Sequence, residues 1–148
     1  MGRLAPYAAV HEPSALAGPG DARPTALQIV KDQGLVGKLT GKVMLVTGCS
    51  PGGLGVETAR ALHATGADVY MTVRTLDKGK SVVEDIKKDG YNGKLELVEM
   101  SLDSFESVKK GAESFLSKSR TLNVLVNNAG RYKAHILTAM IWHMLTAS

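Results

Sequence analysis

The fold is decided by residues 43–62, which read VMLVTGCSPGGLGVETARAL. Four apolar residues come first, then a loop that contains four glycines, and then residues that favour a helix. An apolar run this short predicts a strand buried on both faces, as in a parallel sheet. Glycine lets the loop turn tightly and approach a ligand without a Cβ in the way. Because a helix start carries partial positive charge, the stretch predicts a binding site for the pyrophosphate of a dinucleotide.

Strands and helices alternate regularly around this stretch. The apolar patterns predict further strands at 67–73, 94–100 and within 122–130, and helices at 25–33, 55–64, 77–88 and 104–118. Right-handed crossovers then give an α/β fold, a Rossmann-like doubly wound parallel sheet with strand order 3-2-1-4 and an extra N-terminal segment. The sheet is partial, so strand 4 is predicted to present an unpaired apolar edge that invites self-association.

The helix predicted at 104–118 carries apolar residues at helical spacing. We interpret these residues as a core face and not as an aromatic binding site. They are Phe105, Val108, Ala112, Phe115 and Leu116.

A second motif lies about seventy residues after the glycine loop. Residues 122–130 read LNVLVNNAG, an apolar strand that ends in two amides and a glycine. The pattern Thr-Gly-x-x-x-Gly-x-Gly followed at this distance by Asn-Asn-Ala-Gly resembles the short-chain dehydrogenase/reductase family. Residues 53–59, GLGVETA, resemble its fungal retinol-dehydrogenase-like members. The resemblance covers about residues 26–130 and implies hydride transfer between a nicotinamide cofactor and a carbonyl or alcohol.

The resemblance also implies which residues contact the cofactor. They are Gly48, Ser50, Gly53, Leu54, Gly55, Arg74, Asn128, Ala129 and Gly130. The family places three residues between its first two loop glycines, which leaves two alignments here. Either Gly52 is the second glycine and Leu54 replaces the third, or one residue is inserted. We favour the insertion, because it keeps residues 53–55 in phase with the helix and makes Pro51-Gly52 an extra turn.

The residue that ends the second strand bears on the choice of cofactor. NAD-specific sites place an acidic residue there to bind the ribose hydroxyls. This chain has Arg74, whose guanidinium can hold a phosphate, with Lys78 and Lys80 nearby in sequence. The pattern therefore favours NADP over NAD, although a solvated Arg74 at a strand end is the alternative. Asp77 is interpreted as the N-cap of the next helix.

The family's adenine contact is altered in this sequence. Members usually carry an aspartate after the third strand, but Ser101 occupies that place here. Asp103 lies two residues later, and either Asp103 or Ser104 is expected to cap the following helix.

No catalytic residue can be assigned. The family's chemistry rests on a serine and a Tyr-x-x-x-Lys pair, in which the lysine lowers the pKa of the tyrosine. The four tyrosines are Tyr7, Tyr70, Tyr91 and Tyr132, and the residues four positions later are His11, Arg74, Leu95 and Ile136. None of these is lysine, so we expect the isolated chain to bind a cofactor without catalysis.

The two ends differ from the family. Residues 1–24 contain four of the five prolines and predict a flexible leader, without a signal peptide. Residues 25–130 are assigned to the N-terminal half of an NAD(P)-binding domain. Residues 131–148 do not resemble the family and predict a helical tail, too short to span a bilayer, that could arise by truncation, alternative splicing or a mispredicted exon. In that tail, His135 and His143 are interpreted as polar positions and not as metal ligands.

The net charge and the cysteine content restrict the possible classes of function and the cellular compartment. The net charge is +4, but the basic residues are dispersed, so nucleic-acid binding is not expected. The single cysteine, Cys49, excludes an intramolecular disulfide and suits the cytoplasm. We interpret it as a small loop side chain, with a thiol pKa lowered by the helix start as the alternative.

Three hypotheses follow for function. The first is a short-chain oxidoreductase. The second, favoured for the isolated chain, is an NADP-binding or interaction fragment, or an incomplete gene model. The third is a methyltransferase, which is weaker because it does not explain the motif at 127–130 and usually has an acidic residue after strand 2.

Overall fold

The computed structural model describes residues 6–130, which form a four-stranded parallel sheet flanked by helices on both faces. The spatial order of the strands is β3-β2-β1-β4, so the predicted Rossmann-like fold is confirmed. The strands are β1 (Val43–Val46), β2 (Asp68–Val73), β3 (Leu95–Glu99) and β4 (Val124–Val126). The helices are α1 (Ala26–Asp32), α2 (Leu54–Ala64), α3 (Leu76–Lys87) and α4 (Phe105–Lys118).

Strand β1 lies at the centre of the sheet, and all four of its residues are buried. It pairs with β2 on one side and with β4 on the other, so that Val46 lies opposite both Met71 and Val126. The apolar run of β1 is continuous because helices cover both faces of the strand and neighbouring strands pair with both of its edges.

The two faces of the sheet build separate cores, because alternate residues of a strand point to opposite sides. On one face, Val46 and Met71 pack with residues of α2 and α3. On the other face, Leu45 and Tyr70 pack with Phe115 of α4. The rings of Tyr70 and Phe115 meet edge to face, with centroids 4.9 Å apart and an interplanar angle of 86°.

Helix α1 is an addition that packs beside α2. Its N-cap is Thr25, whose hydroxyl accepts a hydrogen bond from the Gln28 amide at 3.1 Å. Gly34 follows the helix with a φ of +63°, a left-handed conformation that suits glycine after a helix end. Val30 is buried with residues of α2. The helix predicted at 25–33 is therefore present.

Part of the N-terminal leader contacts this helix. Two short 3₁₀ helices, Ala8–His11 and Pro13–Ala15, lie in the leader. The Tyr7 hydroxyl donates a hydrogen bond to the Asp32 carboxylate at 2.8 Å. The flexibility of residues 1–24 stays a prediction. Between residues 6 and 130, no helix is both long and apolar enough to cross a bilayer.

The predicted core face of α4 is wrong in part. Phe115 and Gly111 are buried, and Gly111 lies so close to Met100 that an added Cβ would stand 2.6 Å from its terminal methyl. Phe105, in contrast, is 96% exposed, and Leu116 is 58% exposed. Ala112 is exposed as well. Because Gly111 makes this close approach, α4 is oriented with Phe105, Ala112 and Leu116 to one side of its contact with the sheet.

Strand β4 is less buried than its apolar sequence predicts. Val124 is 39% exposed and Leu125 is 51% exposed, because β4 pairs only with β1 within residues 6–130. The expectation of a free β4 edge therefore holds for the described part of the chain. The helix predicted beyond residue 130 and the two histidines in it lie outside the described residues.

We predict that Phe115→Ala lowers the free energy of unfolding by about 3 kcal/mol, because it empties a buried position and removes the ring contact with Tyr70. The chain's other phenylalanine supplies a matched control. Phe105→Ala should change stability by less than about 0.5 kcal/mol, since its side chain is exposed. Urea unfolding followed by circular dichroism measures both, and equal losses would contradict the assigned packing of α4.

Candidate functional site

The glycine loop lies where β1 leaves the sheet and α2 begins. The Gly53 amide donates a hydrogen bond to the Ser50 carbonyl at 3.0 Å, which closes a four-residue turn. Pro51 occupies the second position of this turn, and Gly52 the third with a φ of +73°, as a type II turn requires. Gly53 is the N-cap of α2 and has no side chain to satisfy the first helical amides. The Val56 amide donates to the Gly53 carbonyl at 3.1 Å, so among the described residues the amides of Leu54 and Gly55 are left to bind an anion.

Two glycines in the loop are required by close contacts. Gly48 has a φ of +74°, and a Cβ there would lie 2.8 Å from Cα of Ala129. A Cβ on Gly55 would lie 2.5 Å from Nδ2 of Asn128 and 2.8 Å from the Gly48 carbonyl oxygen. Gly52 has open space around it. The geometry agrees with the insertion alignment, in which Gly52 forms an extra turn and Gly55 keeps the close approach.

Thr47 joins the loop to the end of β4. Its hydroxyl oxygen accepts hydrogen bonds from the backbone amides of Asn128 and Ala129, each at 3.0 Å. The side-chain amide of Asn128 donates to the Thr47 carbonyl at 2.9 Å and, more weakly, to the Gly48 carbonyl at 3.4 Å. This side chain therefore holds the loop in place, a role that the sequence interpretation of Asn128 as a cofactor contact did not anticipate.

Thr72 ties the same loop to β2. Its hydroxyl accepts a hydrogen bond from the Gly48 amide at 3.0 Å, and its carbonyl accepts one from the Cys49 amide at 2.9 Å. Thr72 is itself buried. Sequence reasoning missed the roles of Thr47 and Thr72, because their bonds join residues 23 to 82 positions apart.

A cleft of about 680 Å³ opens between the loop and the end of β2. One wall is formed by the start of the loop, including Ser50. The other is formed by the end of β2 and the first turn of α3, including Arg74 and Lys78. Both basic side chains are exposed, and neither forms an ion pair with another described residue. The cleft therefore presents two free cations beside a helix start.

The charged residues that follow β2 differ in whether they line the cleft. Asp77 is not the N-cap of α3, because that position is taken by Thr75 and Asp77 lies in the first turn. Asp77 instead forms an exposed ion pair with Lys80 at 3.0 Å. Lys80 does not line the cleft, so Lys78 is the only one of the two nearby lysines that joins Arg74 there.

The expected adenine-binding position does not reach this cleft. Ser101 donates through its hydroxyl to the Asp103 carboxylate at 2.5 Å, and neither residue lines the cleft. Ser104 caps α4, since its hydroxyl accepts a hydrogen bond from the Ser107 amide at 3.3 Å. Of the two capping alternatives, Ser104 is therefore correct.

Cys49 is a buried structural thiol. Its sulfur donates weakly to the carbonyls of Val46 and Gly55, both at 3.5 Å. Burial raises the pKa of the Cys49 thiol to about 12, which is opposite to the shift that a helix start would cause. The alternative of a lowered thiol pKa is therefore wrong, and the side chain serves as a small packing group.

None of the described tyrosines is placed for proton transfer at the cleft. Burial raises the pKa of Tyr70, which lies in the core beneath α4. The hydrogen bond to Asp32 raises the pKa of Tyr7, which lies in the leader. Tyr91 packs near His63, with ring centroids 6.4 Å apart. None of these three tyrosines lines the cleft beside Arg74.

A second cleft, of about 700 Å³, lies along the open edge of β3 between α3 and α4. Its volume is similar, but three of its lysines are already paired with carboxylates of Asp77, Glu106 and Glu96. No residue of the glycine loop contributes to its lining. The cleft beside Arg74 is therefore the better candidate for a phosphate ligand. Across residues 6–130, no three metal-ligating side chains come together.

Comparisons with known proteins agree with this arrangement. The family model described as short chain dehydrogenase matches residues 42–144. Among curated proteins, the short-chain dehydrogenase/reductase prx1 of Penicillium rubens is 56% identical over 113 residues, which are 76% of this chain and 32% of that protein. Human retinol dehydrogenase 12 is 39% identical over 93 residues, 63% of this chain and 29% of that protein. The chain thus spans about a third of the length of these relatives.

Solved structures share the same fold. A short chain dehydrogenase from Mycobacterium smegmatis superposes with a TM-score of 0.59 and 33% identity, over 68% of this chain and 40% of that one. A metagenomic short-chain oxidoreductase in complex with NADP gives a TM-score of 0.56 and 35% identity, over 63% of this chain and 41% of that one.

We predict that Thr47→Val lowers the free energy of unfolding by about 1–3 kcal/mol, because it leaves the Ala129 amide without its acceptor and the Asn128 amide with only the Val126 carbonyl. Hydrogen exchange at those two amides should accelerate at the same time. Thr58→Val is the control, since the Thr58 hydroxyl bonds only the Leu54 carbonyl on the exposed side of α2. Unchanged exchange at Asn128 and Ala129 in Thr47→Val would show that Thr47 does not join the loop to β4.

The state of the Cys49 thiol gives a second prediction. Because its pKa is raised to about 12, the folded chain should react slowly with thiol reagents at every pH from 7 to about 10, where a free thiol becomes ionised. In urea the same thiol should react with a midpoint near the ordinary pKa of about 8.5. Rapid reaction of the folded chain near pH 7 would contradict burial of Cys49.

Proposed function

The chain belongs to the short-chain dehydrogenase/reductase family, and from this membership we propose that it binds the phosphate-bearing portion of NADP(H). The observation that carries the proposal is the pair of free cations, Arg74 and Lys78, across a cleft from the glycine loop. The family and the NADP-bound relative support a nicotinamide cofactor. The preference for the 2′-phosphate is our proposal for this chain.

The residues of the loop fit a dinucleotide pyrophosphate. The free amides at the start of α2 can donate to phosphate oxygens, and the close contacts at Gly48 and Gly55 leave no room for side chains between the loop and β4. Leu54, the first residue of α2, offers its backbone amide, while its side chain is 81% exposed. Gly53 has no side chain, so it leaves the loop backbone accessible to a ligand at the same helix start.

The adenosine end is proposed to lie against the end of β2. Arg74 carries a planar fork of donors that suits a phosphate, and Lys78 adds a second positive charge from one turn later. Ser50 lies on the opposite wall and offers a hydroxyl. An acidic residue at position 74 would instead repel a 2′-phosphate, so the charge of this wall sets the cofactor preference.

Ala129 and Gly130 are proposed to border the cofactor beyond the pyrophosphate. Ala129 is held against Gly48 through the Thr47 hydroxyl, so its backbone follows the loop directly. Asn128 contributes by fixing the loop carbonyls, as described above. When bound, a nicotinamide cofactor supplies hydride-transfer chemistry, and these residues supply binding and orientation.

We propose that this 148-residue chain does not itself catalyse the family's reaction. The observation behind this is the missing Tyr-x-x-x-Lys pair, together with the raised pKa values of Tyr7 and Tyr70. Its role is then cofactor binding, or interaction with a partner chain. A cytoplasmic location is proposed as well, because the single thiol is free and buried. The free edge of β4 is proposed as a route to self-association.

Calorimetric titration with NADPH and NADH tests the cofactor proposal. We expect saturable binding that favours NADPH, and we expect Arg74→Ala to weaken NADPH binding by about tenfold or more, because it removes a charge-assisted hydrogen bond. NADH binding should be almost unchanged in that variant. Lys78→Ala should have a smaller effect in the same direction.

Lys80→Ala is the matched control, since Lys80 is also an exposed lysine on the same helix and lies outside the cleft. It should leave both affinities unchanged. Equal binding of NADPH and NADH by the parent chain would contradict the 2′-phosphate contact. Absence of any binding by a chain shown to be folded would contradict the cofactor site altogether.

A further inference from the structure

Strand β3 forms one edge of the described sheet. Within residues 6–130 it pairs with β2 alone, so one of its sides has no neighbouring strand. The Lys94 carbonyl accepts a hydrogen bond from the Val69 amide at 2.7 Å, and the Met100 amide donates to the Val73 carbonyl at 2.9 Å. Because alternate residues of a parallel strand bond the same neighbour, the even-numbered residues between these two bond β2. The backbone groups of the odd-numbered residues point to the open side, and they belong to Leu95, Leu97 and Glu99.

A side chain of α4 occupies one of these outward groups. The Lys118 ammonium donates a hydrogen bond to the Leu97 carbonyl at 3.0 Å and another to the Glu96 carboxylate at 3.2 Å. Lys118 is the last residue of α4, and Leu97 is the central residue of β3. The ammonium therefore lies at the middle of the open edge, where a further strand would have to pair.

The Lys118 contact differs from other lysine contacts on the described surface. Lys80, Lys88 and Lys110 each pair with a carboxylate only three or four positions away in the chain. Lys118 instead reaches a different element, 21 and 22 positions back in the chain, and bonds a backbone group there. A local pair supports only its own helix, whereas Lys118 takes up a pairing group of a strand.

The open edge of β3 lies within the second cleft described above, the one of about 700 Å³ between α3 and α4. Leu95, Leu97 and Glu99 all line this cleft, and so does Lys118. The two helices therefore leave the edge accessible from outside. Accessible edges of this kind pair with strands of other chains, and a lysine at the edge is one of the means by which proteins prevent such pairing.

We propose that Lys118 closes the β3 edge against pairing with β3 of a second copy of this chain. The outward groups of β3 are spaced evenly about Leu97, so two copies can pair antiparallel with Leu97 opposite Leu97. Such a contact uses the same surface on both chains and closes on itself. It requires the Leu97 carbonyl, which Lys118 must first release. This edge is distinct from the β4 edge, and its closure does not depend on the cofactor site.

Lys118→Met in the full-length chain tests this proposal, because methionine is also unbranched but has neither the charge nor the donor. In sedimentation experiments over a range of concentrations, we expect self-association about tenfold stronger than that of the parent chain. This change corresponds to about 1.4 kcal/mol, the scale of one charge-assisted hydrogen bond. Lys110→Met is the matched control, since Lys110 lines the same cleft from the same helix but pairs with Glu106. It should leave self-association unchanged, and Lys118→Arg, which keeps a charged donor, should behave as the parent chain does.

Hydrogen exchange identifies the edge at which the variant pairs. In Lys118→Met at high protein concentration, the amides of Leu97 and Glu99 should become protected, and dilution should remove this protection. Protection of residues 124–126 in their place would assign the association to β4 and overturn the proposal. Equal self-association of the parent chain and Lys118→Met, or an equal increase in Lys110→Met, would overturn it as well. Circular dichroism verifies that each variant is folded.

Discussion

The candidate site depends on the hydrogen bonds that hold the end of β1 between its two neighbouring strands. Thr47 accepts the amides of Asn128 and Ala129 on one side, while Thr72 accepts the amides of Gly48 and Cys49 on the other. These bonds satisfy backbone groups at the point where the sheet's own pairing ends. They also place the loop, so Ser50 and Pro51 lie across the cleft from Arg74 and Lys78.

The same anchoring explains where positive charge accumulates. Thr72 holds the loop against the end of β2, and Arg74 follows only two residues later, so Arg74 must emerge beside the loop. Lys78 lies one helical turn beyond it and reaches the same cleft. Asp77, between them in sequence, turns away to Lys80. A cleft lined by two cations without ion-pair partners among the described residues has the electrostatic character of a phosphate site.

The side of the sheet that carries α4 is less complete than the side that carries α2 and α3. Phe115 and Tyr70 form its core, while Phe105 and Leu125 remain exposed. This difference follows from the described part of the chain, which contains two crossovers on one face and one on the other. Apolar residues that stay exposed on one face in this way are typical of a contact surface.

The sequence by itself determined the strand order, the helix that follows the glycine loop and the position of Arg74 at the end of β2, because all three follow from local periodicity, glycine placement and crossover handedness. The tertiary structure alone decided that Asn128 holds the loop, that the Cys49 thiol has a raised pKa and that Phe105 is exposed while Phe115 is buried. Each of these depends on packing that local periodicity does not describe. The Asn128 side chain bonds a carbonyl about eighty residues away, and the Cys49 thiol is buried in a packed loop. The orientation of α4 follows from the close approach of Gly111 to Met100. Helical spacing identifies which residues of α4 are apolar, but only packing decides which of them face the sheet.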